Sequence, residues 1–316
     1  MNSLFRPALA AIFALFLVAR AAFAAEAVFP PGSRIGLVPP TGMVLSTRLQ
    51  GFEDPARGAV ISVAELSGQS FPRMVKEFSD ETMKAGGMEV VSREEFSMPG
   101  GPVMIVAARQ QVGGVTSRKW GLIALVGDIT AVVVISVPDS AKEAYPDAVL
   151  RAALLSTKVG PKRTTDELLA VLPYRLADLG GFRLMRATTD GTAVLTFGPN
   201  DTSLPAEQPY FMVTPRAGET PATADQDRFA RRVLAEFSAR GPDRIVSSEA
   251  IRIGGAPGYQ IIAEGKDDRT GDELTMVQWL RFGAGGYVQM FGIARKDQWA
   301  DVFSRMRAIR DGLGNK

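Results

Sequence analysis

The sequence has no cysteine and no histidine in 316 residues. That excludes a Ser-His-Asp or Cys-His nucleophile, a zinc or haem site of the usual kind, and any disulfide framework. Most routes to catalysis near neutral pH are closed by these two absences. Trp and Tyr are also few, at three and five. Carboxylate-only glycoside chemistry needs neither His nor Cys, but it works in clefts lined with rings, which this composition hardly supplies. The common catalytic and phosphate signatures are missing as well. No Ser is flanked by Gly two residues away on both sides, no Ser precedes a Lys by three, and there is no Gly-Lys-Ser/Thr. Gly283-Ala284-Gly285-Gly286 begins like a dinucleotide loop, yet it lacks the third Gly and joins two strands. The chain is therefore read as non-enzymatic, and no cofactor is expected.

Excess charge of either sign is lacking too, with 36 basic against 34 acidic residues. Apolar runs long enough to span a membrane are absent: Thr130–Val137 is apolar but of strand length. The first residues read as a secretory signal. Arg6 supplies a basic start, Pro7–Ala19 an apolar stretch, and Ala22-Phe23-Ala24 the small residues of a cleavage site. Residues 1–24 are expected to be removed, or 1–27 if Ala25-Glu26-Ala27 is cut instead. Loss of Arg6 and Arg20 leaves 34 basic and 34 acidic residues, a net charge of zero. A neutral exported chain makes a poor wrapper of nucleic acid. The expected location is the periplasm. The 27 Arg against 9 Lys suit carboxylate or phosphate partners, although a G+C-rich genome produces the same bias.

What is present is an internal repeat. Val90–Phe96 aligns without gaps on Ile245–Ile251 at an offset of 155, and Met98, Gly100, Pro102 and Ala108 then fall on Ile253, Gly255, Pro257 and Ala263. Trp120 and Gly127 match Trp279 and Gly286 once four extra residues are allowed in the second copy. Each copy shows the same signals. In the first, a strand over Gly58–Leu66 precedes a helix with Ser70 as N-cap, a Phe71, Val75, Phe78 stripe and a Gly86-Gly87 end. In the second, a strand over Thr192–Phe197 precedes a helix capped by Asp225, with a Phe229, Val233, Phe237 stripe ending at Arg240-Gly241.

Four strand-like runs follow in each copy. They are Glu89–Met98, Val103–Val112, Arg118–Val126 and Thr130–Val137 in the first, and Arg244–Ile253, Gly258–Glu264, Leu274–Phe282 and Tyr287–Ala294 in the second. Gly and Pro mark the hairpins between them. A closing helix follows: Ala141–Leu155, with Pro146 in its first turn, and the stripe Trp299, Phe303, Met306, Ile309, with Asp297 as N-cap and Gly312 at the end. The fold class is α+β, two similar domains, each an antiparallel sheet flanked by helices. The domains run 28–160 and 174–316, with a linker at 161–173 that holds a short helix over Thr164–Leu172.

The turn Ile253-Gly254-Gly255-Ala256-Pro257-Gly258-Tyr259, its looser counterpart Met98-Pro99-Gly100-Gly101-Pro102-Val103, and the order of elements around them resemble the PsbP-like superfamily, which also holds the DcrB-like bacterial envelope proteins. The resemblance covers nearly the whole mature chain as two copies. It implies a binding or assembly role toward an envelope protein and carries over no catalytic residue.

Two features are candidate sites. Lys266–Glu273 packs four carboxylates into eight residues, a composition calcium favours, but the EF-hand alternation is missing and Lys266 and Arg269 offset half the charge, as on a solvated hairpin tip. Along Thr275–Phe282, Trp279 and Arg281 share one face with Val277, and Arg118 and Trp120 repeat the combination in the first copy with the order reversed. Trp and Arg together suit a partner-binding patch. The same spacing also suits rings buried under the flanking helices.

Overall fold

The structure is a computed structural model that describes residues 26–200, 204–237 and 242–316. The expected signal segment 1–24 and the helix end at Arg240-Gly241 lie outside the described residues. No described helix is long and apolar enough to cross a membrane.

The first half runs β1 (Ile35–Gly36), β2 (Val44–Leu45), β3 (Gly51–Asp54) and β4 (Ala59–Ser67), then α1 (Phe71–Glu77) and α2 (Asp80–Ala85). A four-stranded meander follows, β5 (Met88–Met98), β6 (Gly101–Val112), β7 (Val115–Val126) and β8 (Ile129–Pro138). Helix α3 (Asp147–Leu155) and β9 (Lys158–Val159) close the half. A capping box at Thr164, whose hydroxyl and Glu167 satisfy each other's backbone N–H groups, starts the connector α4 (Thr165–Val171).

The second half repeats the order. It opens with β10 (Tyr174–Leu176), β11 (Arg183–Ala187), β12 (Ala193–Thr196), β13 (Tyr210–Ala217) and α5 (Gln226–Phe237). Its meander is β14 (Arg244–Ile253), β15 (Ala256–Lys266), β16 (Glu273–Gly283) and β17 (Gly286–Arg295), followed by α6 (Trp299–Asp311) and β18 (Leu313–Asn315).

Each half holds one seven-stranded sheet. The orders, β2-β3-β4-β8-β7-β6-β5 and β11-β12-β13-β17-β16-β15-β14, are the same, and neighbouring strands are antiparallel throughout. In each half the entry strand pairs with the closing one, β1 with β9 and β10 with β18. The fold is α+β in two similar halves.

Alternation of side chains puts apolar residues on both faces of each sheet, and helices cover both. On β6, Val103, Ile105 and Ala107 pack with Leu150 and Leu154 of α3, while Met104, Val106 and Ala108 pack with Met83 and the α1 residues Phe71 and Val75. In the second half, Val277 and Trp279 pack with Met306 and Ile309 of α6, and Met276 and Leu280 pack with Ala230 and Val233 of α5.

Four expectations need correction. The strand equivalent to β4 is β13, because β13 pairs with β17 as β4 pairs with β8. The run Thr192–Phe197 forms β12 instead, the counterpart of β3, and the strand in the expected place is Tyr210–Ala217, which the sequence pattern does not mark. Second, the helix expected between Ser70 and Gly86 is two helices: Ser79 leaves helical geometry and accepts a hydrogen bond from Thr82 N, starting α2. Third, the side chains of Ser70 and Asp297 cap no helix. Ser70 does occupy the N-cap of α1 but makes no cap hydrogen bond, and Asp297 is held by Arg295 while Gln298 occupies the N-cap of α6. Fourth, Pro146 is the N-cap residue of α3, one place before its first turn.

A buried polar network joins β3, β7 and the segment before α3. Arg118 donates to Tyr145 O at 2.8 Å and ion-pairs with Asp147. The Tyr145 hydroxyl donates to Asp54 Oδ2 at 2.7 Å, and Arg57 donates to the same oxygen at 2.9 Å. These bonds, that from Tyr145 foremost, hold the Asp54 carboxyl below its ordinary range, and burial pushes the Tyr145 phenol up to about 12. Because the folded-state pKa of Asp54 is depressed, its contribution to stability is fully present above the unfolded value of about 3.9 and is lost as the pH falls through the folded value. Tyr145→Phe is therefore expected to lower stability by a constant amount above about pH 5, with the gap to the parent closing below about pH 4. Urea titrations across pH check this, and a gap that widens in acid would refute the assignment.

Candidate functional site

The site emerges from setting the two halves in register. The β5–β6 and β14–β15 hairpins pair Met98 with Gly101 and Ile253 with Ala256, and both edge strands carry a bulge at the same place, Val91 and Val246. These matches confirm the offset of 155. Across the next hairpin, Ile105 pairs with Leu122, whereas Gln260 pairs with Trp279. The offset on β7 and β16 is thus 157, and the intervening loop carries two extra residues, not four. Leu122 is the counterpart of Trp279, Ala124 of Arg281, and Trp120 of Val277. The match of one Trp to the other was two residues out of register, although both rings do face the closing helix of their half.

Neither indole reaches the surface. Trp120 lies in the first-half core, and Trp279 is fully buried. The Trp279 ring stacks on Phe303 at 5.9 Å, carries the Arg310 guanidinium 4.9 Å above it, and donates its Nε1–H to Gln260 Oε1 at 2.6 Å. Arg281 lies along the β14–β15 hairpin and donates to Ile253 O at 3.3 Å. Arg118 is spent on the buried network. The four residues singled out from sequence therefore fall in two separate places, one per half.

In the first half, the place filled by Trp279 and Arg281 in the second is a cavity of about 310 Å³. Its walls are the β5–β6 hairpin from Met98 to Gly101, then Leu122, Ala124 and Val126 of β7, and Leu154, Thr157 and Val159 where α3 runs into β9. The helices follow the same correspondence. Leu150 and Ala153 fall on Met306 and Ile309, and the C-caps Ser156 and Gly312 coincide, which sets Leu154 against Arg310 and Thr157 against Leu313. Gly101 keeps the hairpin tight on β7: at φ +147° a Cβ would stand 2.4 Å from Leu125 O. The walls are apolar but for Lys158 and Thr157, and the Thr157 hydroxyl oxygen is buried with no hydrogen-bond partner. Such a volume lies at the small end of ligand and anchor pockets.

Sequence reasoning missed Leu122, Ala124 and Thr157, since none carries chemistry alone. Only the 157 offset, which sets Leu against Trp and Ala against Arg, would have exposed them.

The acidic hairpin uses its carboxylates internally. Asp267 Oδ1 accepts from the backbone N–H groups of Arg269 and Thr270, Asp272 accepts from the Thr270 hydroxyl, and Glu273 pairs with Lys296. Among the described residues, no group of three or more Asp or Glu is arranged to hold a metal ion.

No protein-family model matches the chain, and no curated protein sequence is significantly similar to it. Solved structures do show likeness. LpqN of Mycobacterium tuberculosis, described as involved in cell envelope biogenesis, has 15% identity over 45% of this chain and 82% of its own, with a TM-score of 0.35. Cyanobacterial PsbP from Synechocystis sp. PCC 6803 has 11% identity over 42% of this chain and 91% of its own, with a TM-score of 0.32. The type VI secretion immunity protein TplEi of Pseudomonas aeruginosa, solved with a peptide, has 10% identity over 92% of this chain and 98% of its own, with a TM-score of 0.29. PsbP-like folds are thus among the structures similar to this chain.

Because the Trp279 ring is wholly enclosed, Trp279→Ala is expected to cost about 3–5 kcal/mol of stability. Denaturant unfolding measures it. A folded variant losing less than about 1 kcal/mol would show that the ring is not the keystone of the α6 face.

Proposed function

We propose that this protein is an exported, non-enzymatic binding protein of the cell envelope that holds a protein partner through its first half, while the second half serves as a closed companion. The observation that carries the reading is the first-half cavity. Two halves with the same strand order differ on the closing-helix face, where small residues leave a walled pocket in one and an indole and a guanidinium fill the other. Both faces of each sheet are covered by helices over their apolar residues, so a partner is received at this opening between layers and not on a bare sheet face. The signal-like residues 1–24 support export.

Lys158, exposed at the cavity, provides an amine for chemical cross-linking. Cross-linking of the tagged protein in its own cell envelope, read by mass spectrometry, is expected to recover one partner in near-equal amount, with linked residues close to Lys158. An empty result at good cross-linking yield would overturn the reading.

A further inference from the structure

The duplication supplies an internal template for what the cavity receives. At the equivalent place in the second half, the fold seats an indole flat against a ring of the closing helix, under a guanidinium, with its N–H satisfied by Gln260. The first half keeps the frame but has Leu122 for Trp279 and Ala124 for Arg281. It replaces Gln260 by Ile105, which cannot accept a hydrogen bond, and adds the unpartnered Thr157 hydroxyl at the position of Leu313. We infer that the first-half cavity is the seat of an aromatic side chain, an indole above all, presented by the protein partner. This rests on the partner-binding reading above and names the chemistry of the contact.

Three observations converge on that occupant. The volume of about 310 Å³ admits a bicyclic ring. The apolar walls reward its burial, and large aromatic side chains seated in desolvated pockets are the usual anchors of protein interfaces. The second half shows that this frame seats an indole against the closing helix and under a guanidinium, so an aromatic occupant has the shape the twin already packs.

The test is a methyl-labelled NMR titration of the protein with N-acetyl-L-tryptophanamide, run beside N-acetyl-L-leucinamide and octanoate. The indole probe is expected to shift the methyl signals of Leu122, Val126 and Val159 and to saturate in the millimolar range, with the leucine probe and octanoate at least tenfold weaker. Leu122→Trp with Ala124→Arg, which installs the second half's residues, is expected to fold and to weaken the indole probe at least tenfold. Ala124→Leu is the milder filling variant should the double one fail to fold. Absence of shifts at these methyls, tighter binding of octanoate, or unchanged affinity in a folded filled variant would each overturn the inference.

Cross-linking of the same variants separates the two readings. A partner captured equally by the parent and by a folded filled variant defeats the aromatic seat and leaves partner binding standing. No partner for the parent defeats partner binding whatever the probe does.

Discussion

One pairing that is not local holds each half together: Val60–Ser67 against Ile129–Ser136, and Tyr210–Ala217 against Gly286–Ile293. The strands of each meander are joined by short hairpins and could pair without help. Only the β4–β8 and β13–β17 ladders attach β2–β4 and β11–β13 to the meander and turn a four-stranded ribbon into a seven-stranded sheet. That sheet has two apolar faces, which is why every half needs helices on both sides. The ladder also fixes register. A slip of one residue would turn Leu122 or Trp279 to the opposite face, so the difference between the halves can be read position by position.

The halves use the same frame in different ways on both faces. On the face away from the closing helix, Gly121 makes a notch for the Phe78 ring, and a Cβ there would stand 2.4 Å from it. Its counterpart, Gln278, is buried and polar: it donates to Ala230 O at 2.8 Å and accepts from Gln289 at 3.0 Å. A ring from the helix fills the first half at this point, and an amide pair ties strand to helix in the second. On the closing-helix face the roles reverse, with the second half filled by its own indole and the first left with room. Each half thus packs one face more fully than the other, and the two choose opposite faces at these positions.

The meander strands were legible to within a few residues, because long antiparallel strands alternate apolar and polar side chains and their hairpins carry Gly and Pro. β13 was not, because Thr214, Pro215 and Arg216 interrupt its pattern and its pairing with β12 and β17 makes it a strand. The break between α1 and α2 is one hydrogen bond, Thr82 N to Ser79, which no periodicity reports. The repeat was legible, but its register on β7 was not: loop length is invisible to an alignment that seeks like residues, and two Trp two places apart invite a false match. The cavity stayed hidden for the same reason, since a pocket made by small residues has no signature until its filled twin is set beside it. Arg118 is the converse case. It looks like a surface cation in the sequence, yet it is buried and gathers Tyr145 and Asp147 around itself.

The unequal bulk at the two equivalent positions has a consequence for how the chain reaches its native state. Tandem copies of one topology can exchange strands while they fold, and such cross-assembly is a characteristic failure of repeat proteins. Here β16 in place of β7 would bring an indole and a guanidinium against Leu154 and the Met98–Gly101 hairpin, while β7 in place of β16 would leave Phe303 and Arg310 without the ring they pack on. A hybrid sheet would lose the cavity of the first half and open a void in the second. The divergence that opens the pocket thus also tells each strand which sheet it belongs to.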